Sequence, residues 1–256
     1  MRGDLVVSIP VLLGFLLTLV RVSGVFIFIP IPGASSSVAP ARVLLSLGIT
    51  IALFSHWPVV SAAPTAGSFV LWIITEAALG VGTGLAVAFV MEAFSVGAQV
   101  LGLQAGYAFA STVDPNTQAD STVLVVFSQL AGGLLFFAMG FDHQIIHILA
   151  RSMETHPAGA FSLSRGAGEQ MLLMGSTIFS TGLRLAMPLI AILVMLDICL
   201  ALLGRVNAQL QLLHLSFPIK MIVALGLLGP LVLMLPALFR LSAAGTFAAA
   251  RGLIAR

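Results

Sequence analysis

The chain has 256 residues, of which 59% are hydrophobic and only 8% are charged, and its mean hydropathy is +1.14. Soluble domains carry roughly 25% charged residues, so the composition excludes an ordinary soluble domain and predicts a protein assembled in a membrane. The formal net charge of +2, from 11 basic and 9 acidic residues, is too small and too scattered to form the basic surface that binding of nucleic acid requires.

Six apolar runs predict an all-α integral membrane protein with about six long hydrophobic helices arranged in hairpins. A helix needs about 20 residues to cross the hydrocarbon core, and at least five of the runs are long enough. The second run is shorter and follows a turn-rich segment, so it predicts a helix hairpin or a helix that crosses part of the membrane. We expect a single domain over residues 1–256. The runs are Leu5–Ile29, Val38–Phe54, Phe69–Met91, Val123–Phe141, Met171–Leu203 and Leu212–Phe239.

Two polar regions separate the later runs. The third run continues beyond Met91 as an amphipathic stretch to Ala110 and is then broken by Asp114, Pro115 and Asn116. Proline has no backbone N–H to donate within a helix, and aspartate and asparagine favour turns. Residues 111–122 are therefore predicted to form a polar loop. Residues 142–170 hold most of the remaining charge, which predicts an aqueous loop or short surface helices.

Charged residues inside or next to the apolar runs are candidates for structural or functional ion pairs. An unpaired charge at mid-bilayer costs about 3 kcal/mol or more. We therefore expect each to form a structural ion pair, to extend towards the membrane surface from a helix end, to support packing of helices or subunits, or to belong to a proton relay. Arg184 and Asp197 lie too far apart to touch along a straight helix, unless Pro188 bends it. Each therefore pairs with another element or faces a partner subunit. The candidates are Arg21, Glu76, Arg184, Asp197, Arg205 and Lys220.

Glycines in the third run predict close helix packing. Gly80 and Gly84 are four residues apart, a spacing of small residues that allows two helix backbones to approach closely. The same segment does not fit a dinucleotide-binding loop. Leu85 stands where that motif requires its last glycine, and no strand precedes the segment.

No motif predicts a metal, a cofactor or a catalytic residue. His143 and His147 are four residues apart and Asp142 is adjacent, but no third ligand follows at a typical spacing and no glutamate completes an HExxH motif. Cys199 is the single cysteine, so it forms no intrachain disulfide and has no second thiol beside it. The sequence also lacks a nucleophile elbow. We therefore expect a protein that is not an enzyme.

Three groups of short motifs follow one another between residues 20 and 240. The first group is RVSG (21–24), FIP (28–30) and PAR (40–42). The second is EAALG (76–80), GAQ (97–99), GLQAGYAFA (102–110) and VDP (113–115). The third is GLRLAMP (182–188), Asp197, LGRVNAQ (203–209) and FPIK (217–220). In this order they resemble the FliR family of flagellar export proteins, whose virulence-associated relatives are the SctT proteins. Ala208 departs from the family, which often has proline there.

The resemblance implies a non-enzymatic structural and gating subunit of a flagellar protein-export gate. Members of the family assemble with FliP and FliQ, contact FlhB, and form the channel through which unfolded flagellar proteins leave the cytoplasm. By resemblance, we expect this chain to be a multi-pass protein of the bacterial inner membrane, in the flagellar basal body. The expected partners are therefore homologues of FliP, FliQ and FlhB, together with exported proteins and lipid.

The resemblance also implies a plug in the channel. The family has a lumenal loop that blocks the passage, and the matching positions here are about 106–120. Aromatic and apolar side chains in this segment would obstruct a narrow channel, and the polar residues after the proline would allow displacement. The alternative is an ordinary turn between two helices. The predicted plug residues are Gly106, Tyr107, Phe109, Val113, Asp114 and Pro115.

Two other classes of function compete with an export gate. An ion-coupled secondary transporter of a small solute would use Glu76, Arg184 and Asp197, since ionisable residues within membranes often mark ion pathways. Such a protein would bind its solute saturably on its own, whereas a gate subunit would not. An intramembrane enzyme is the third class, but no motif nominates its reacting groups.

Overall fold

The computed structural model describes residues 8–30, 39–58, 60, 64–107, 123–157, 159, 165–206 and 212–254. Within these ranges all regular structure is helical, which confirms the predicted all-α fold class. The helices are α1 (Ile9–Phe26), α2 (Ala39–Ala52), a short 3₁₀ helix (Phe54–His56), α3 (Ala66–Ala105), α4 (Val123–Ala138), α5 (Phe141–Thr155), α6 (Arg165–Val206) and α7 (Leu212–Ile254).

Four of the described helices are long and apolar enough to cross a membrane, namely α1, α3, α6 and α7. The pair α4 and α5 passes the same test only if counted as one span, and it bends by 63° at the break between its two helices. α2 has 14 residues, so at roughly 21 Å it is too short to cross the hydrocarbon core. The count of four or five spans is close to the predicted six helices.

The break between α4 and α5 lies at Gly140. Its φ of 69° is in the left-handed region, which glycine adopts without the steric cost of a Cβ atom. α5 lies within the region predicted to be polar and has one apolar face, on which Phe141, Ile145 and Leu149 are buried. Their spacing of four residues places them on one side of the helix.

The contacts divide the chain into two compact units. Unit 1 comprises residues 1–89, 136–175 and 245–256, and unit 2 comprises residues 90–135 and 176–244. The helices α3, α6 and α7 each contribute residues to both units. The expectation of a single domain over residues 1–256 stays a prediction.

In unit 1, α1 and α3 meet backbone to backbone. A Cβ atom added to Gly80 would overlap the carbonyl oxygen of Arg21, and one added to Gly24 would lie 2.9 Å from the Val81 nitrogen. A Cβ atom on Gly84 would lie 3.0 Å from the Val25 carbonyl oxygen. Glycine is therefore required where the two helices touch.

Unit 2 has an equivalent contact between α3 and α6. A Cβ atom on Gly97 would lie 2.8 Å from the Gly182 carbonyl oxygen, and one on Gly182 would lie 2.6 Å from the Ala93 carbonyl oxygen. Beside this contact the ring centroids of Phe94 and Phe239 are 5.1 Å apart. One buried apolar cluster of unit 2 consists of Leu101, Ala105, Leu124, Leu189, Leu193 and Ala224.

Prolines do not interrupt the two longest helices. α6 continues from Arg165 to Val206 through Pro188, and α7 contains three prolines. Each internal proline removes one hydrogen bond from the helix, a loss that membrane helices tolerate when neighbouring groups satisfy the freed carbonyl. Arg184 and Asp197 therefore lie on one continuous helix, and Pro188 does not divide it into two.

We expect Gly80→Ala to lower the apparent melting temperature of the purified protein in detergent, because the new methyl group collides with the Arg21 carbonyl. Overpacking of this kind costs about 1–3 kcal/mol. Gly67→Ala is the matched control on the same helix, since nothing lies within 4 Å of a Cβ atom there. Equal melting temperatures for the two variants would contradict this account of the α1–α3 contact.

Candidate gating site

A buried ion pair joins α1 to α3 in unit 1. Arg21 Nε donates to Glu76 Oε2 at 2.5 Å, and Arg21 Nη2 donates to Glu76 Oε1 at 2.9 Å. Each of the two residues is only 2% exposed. This bidentate geometry matches the planar guanidinium to both carboxylate oxygens. The two charges therefore neutralise each other within unit 1.

The same guanidinium also holds α5. Arg21 Nη1 donates to Ser152 Oγ at 3.1 Å, and Arg21 Nη2 donates to the carbonyl oxygen of His156 at 3.0 Å. His156 follows the last residue of α5, where helix carbonyls lack partners within the helix. Arg21 thus satisfies a buried carboxylate and caps the end of a helix with one side chain.

A second polar network lies in unit 2 and joins three helices. Asp197 on α6 uses both carboxylate oxygens: Oδ1 forms an ion pair with Lys220 Nζ on α7 at 2.5 Å, and Oδ2 accepts a hydrogen bond from Gln104 Nε2 on α3 at 3.2 Å. The Lys220 side chain is 14% exposed and the Asp197 side chain 38% exposed. The chain itself therefore encloses this pair less completely than the buried pair of unit 1.

The C-terminal end of α3 lies beside this network. Gly106 has a φ of 86°, its N–H donates to the Leu103 carbonyl at 3.2 Å, and the Tyr107 N–H donates to the Gly102 carbonyl at 3.0 Å. These two bonds and the left-handed glycine form a Schellman motif, which ends a helix and satisfies its last carbonyls. Gly106 is thus the residue at which the helix stops.

Two residues of α7 contact this helix end. A Cβ atom on Gly106 would lie 2.9 Å from the Phe217 ring, so the ring packs directly against the glycine. The Tyr107 hydroxyl donates to the Met221 carbonyl at 3.4 Å. Desolvation by burial raises the pKa of the Tyr107 phenol, so the phenol is neutral and acts as a hydrogen-bond donor at physiological pH. Phe109, Val113, Asp114 and Pro115 of the predicted plug lie outside the described residues.

The structure separates the predicted charged residues into two kinds. Arg21, Glu76, Asp197 and Lys220 form the two pairs described above. Arg184 and Arg205 are exposed on the surface of α6, so neither is buried within the single chain. Packing of their charges against a partner subunit stays a prediction.

Two features bear on the competing functions. Among the described residues, no three His, Cys, Asp or Glu side chains are grouped as metal ligands, and the His143 side chain is 80% exposed. Unit 2 contains a cavity of about 60 Å³ between α3, α4, α6 and α7, lined by apolar residues such as Phe94, Leu101 and Leu189. Its polar lining residue, Ser128, donates its hydroxyl to the Val125 carbonyl at 2.8 Å. The lining is therefore apolar apart from one hydroxyl, which donates within its own helix.

Sequence reasoning did not identify all the polar partners. Gln104 was visible as a polar residue in an apolar helix, three residues before Tyr107, but its partner on α6 is 93 residues away. Ser152 and His156 are one helical turn apart, a spacing compatible with contact to one side chain. His156 contributes its backbone carbonyl, a role that leaves no signature in the sequence.

We expect Arg21→Met to destabilise the protein by about 3–5 kcal/mol, because it leaves the Glu76 carboxylate buried without a cation. The double variant Arg21→Met with Glu76→Leu removes both charges and should recover most of the lost stability. Thermal unfolding in detergent and the amount of protein in the membrane measure the difference. A double variant as unstable as the single one would contradict the view that the unpaired carboxylate causes the loss.

Comparison with known proteins places the chain in one family. Residues 12–245 match the family described as "Bacterial export proteins, family 1". The flagellar biosynthetic protein FliR of Escherichia coli (strain K12) is 31% identical over 204 residues, which cover 78% of each chain. FliR of Pectobacterium carotovorum subsp. carotovorum is 32% identical over 196 residues, 75% of each chain. FliR of Aquifex aeolicus (strain VF5) is 25% identical over 226 residues, 88% of this chain and 86% of the relative. The chain therefore belongs to this family of bacterial export proteins together with the FliR proteins, and it is a multi-pass membrane component of the flagellar export apparatus.

Proposed function

We propose that the chain is a non-enzymatic structural and gating subunit of the flagellar export gate. In this proposal it assembles with FliP and FliQ homologues, contacts an FlhB homologue, and helps to form the channel for unfolded flagellar proteins. The complex lies in the bacterial inner membrane at the flagellar basal body. The proposal rests on membership of the family and on one physical observation, the exposed apolar surface of α6.

The exposed apolar surface of α6 is longer than a bilayer can cover. Leu172 is 75% exposed and Val206 is 86% exposed, and they lie 34 positions apart on one helix. At 1.5 Å per residue this is about 50 Å, against about 30 Å for the hydrocarbon core. Even a tilt of about 40° gives a path of only about 39 Å through the core. This length supports the proposal that protein partners cover part of the surface.

The exposure of α6 and α7 also supports partner contacts. Within the most apolar stretch of α6 only 17% of the residues are buried, and for α7 the share is 11%. Arg184 and Arg205 are exposed on the same helix α6. An arginine on an apolar surface is costly in lipid, so a partner subunit that presents acidic or carbonyl groups is the environment that fits these side chains.

The gating role is assigned to the segment after α3, at positions of about 106–120. Its first residues, Gly106 and Tyr107, belong to the Schellman motif and contact α7. A helix end fixed in this way gives the following segment a defined starting point. We propose that this segment is the plug of the closed channel, and that it is displaced when a substrate passes.

The transporter alternative lacks a comparable observation in its favour. Its three proposed groups are Glu76, Arg184 and Asp197. Glu76 is neutralised by Arg21, Asp197 is paired with Lys220, and each pair lies within its own compact unit. The cavity in unit 2 is apolar apart from the Ser128 hydroxyl, which donates to the Val125 carbonyl.

The assembly is tested by affinity purification of the tagged protein from its native membrane in mild detergent, followed by mass spectrometry. We expect homologues of FliP and FliQ in one stable complex with the chain, because the exposed surface of α6 needs protein cover. A variant with Gly67→Ala serves as the control for an unperturbed chain. Recovery of the chain alone or only as a self-associated protein would contradict the proposal.

The plug is tested by shortening residues 108–120 and measuring ion conductance across membranes that contain the assembled gate. We expect a leak to small ions, because the obstruction of the channel is removed. Co-purification of the partner proteins with the shortened chain controls for assembly. An unchanged conductance in a correctly assembled complex would overturn the assignment of this segment as a plug.

A further inference from the structure

The network of Asp197, Lys220 and Gln104 lies next to the end of α3 and connects α3 to α6 and α7 within unit 2. We propose that Asp197, Lys220 and Gln104 form a clamp that fixes the Gly106–Tyr107 turn. They would then be positioning residues for the segment that follows the turn. A role of these three residues in gating rests on the proposed function. The position of the turn can be measured whether or not that function is correct.

The clamp joins three helices through the two carboxylate oxygens of Asp197. One oxygen forms an ion pair with Lys220 on α7, and the other accepts a hydrogen bond from Gln104 on α3. Loss of the Lys220 charge would remove one of the two restraints on the carboxylate. Neutralisation of Asp197 would remove the ion pair itself.

The helix transmits the position of Gln104 to the turn. Gln104 lies one residue before the last residue of α3, and Gly106 and Tyr107 follow immediately with two backbone hydrogen bonds into the helix. The turn therefore moves with Gln104 as one body. α7 contributes a second restraint from the same region, since Met221, the acceptor of the Tyr107 hydroxyl, is adjacent to Lys220.

The exposure of the network distinguishes it from the ion pair of unit 1. The Arg21 and Glu76 side chains are 3% and 2% exposed, whereas the Asp197 carboxylate is 38% exposed. The chain itself therefore encloses the Asp197 carboxylate less completely than it encloses the ion pair of unit 1.

Tyr107 is the single tyrosine of the chain and therefore reports on the turn. We would treat native membranes with tetranitromethane, isolate the tagged chain and measure nitration of Tyr107 by mass spectrometry. The background is Cys199→Ser, because Cys199 is exposed and reacts with the same reagent. The variants are Asp197→Asn, Lys220→Met, and the charge swap that combines Asp197→Lys with Lys220→Asp.

We expect Tyr107 in each single variant to be nitrated about fivefold faster or more than in the background protein, because the coupling between the two contacting charges is lost. The charge swap restores this coupling, so its nitration rate should lie within about twofold of the background rate. The two single variants change the local charge in opposite directions. A purely electrostatic effect on the phenol would therefore accelerate one and slow the other. The clamp would be overturned if the two single variants changed the nitration rate in opposite directions or left it unchanged. It would also be overturned if the charge swap were nitrated as fast as the single variants.

Gln104→Met provides a variant that leaves both charges in place. It should accelerate nitration of Tyr107 in the same direction, and it covers the case in which the charge variants do not accumulate. Unchanged nitration in Gln104→Met would also overturn the clamp. The ion leak of the chain shortened at residues 108–120 is measured in parallel. A shortened chain without a leak refutes the plug but leaves nitration to decide the clamp, so the two failures are distinguishable.

Discussion

The contact on which unit 1 depends is the backbone approach between α1 and α3. Gly80 lies against the carbonyl group of Arg21, and Gly24 lies against the backbone of Val81. This approach brings the Arg21 side chain to Glu76, which is one turn before Gly80 on α3. Larger side chains at the crossing would move the helices apart and leave two charges buried without partners, so the glycines and the ion pair depend on each other.

The two polar networks have different physical characters. The pair of Arg21 and Glu76 is sealed from water, uses both carboxylate oxygens, and extends to Ser152 and the end of α5. A sealed pair of this kind fixes one arrangement, because every alternative leaves a charge unsolvated. The pair of Asp197 and Lys220 is partly exposed on the single chain and lies next to the turn that ends α3. The ion pair of unit 1 is thus enclosed by the chain itself, whereas that of unit 2 is partly exposed.

The exposed apolar surface of this protein indicates the kind of environment in which it is stable. In a soluble protein, an exposed apolar helix face of this size would cause aggregation. Here exposed apolar side chains are distributed along about 50 Å of α6, which exceeds the thickness of the hydrocarbon core. The composition, with 8% charged residues, leaves few polar groups on the surface of the chain. A chain of this kind needs an apolar environment around its helices.

The sequence by itself determined the fold class, the location of most helices and the family. Apolar runs set the helices because each backbone group in lipid must be satisfied within its own segment. The sequence also identified Arg21, Glu76, Asp197 and Lys220 as charges that need partners, because the cost of an isolated charge does not depend on the fold. Only the tertiary structure decided which residues pair. Arg21 and Glu76 are 55 positions apart in the sequence, and Gln104 and Asp197 are 93 positions apart. Packing also decided that α6 continues through Pro188, because the sequence does not show which groups surround a proline. It likewise decided that Arg21 binds the His156 carbonyl, because a backbone acceptor leaves no pattern along the chain.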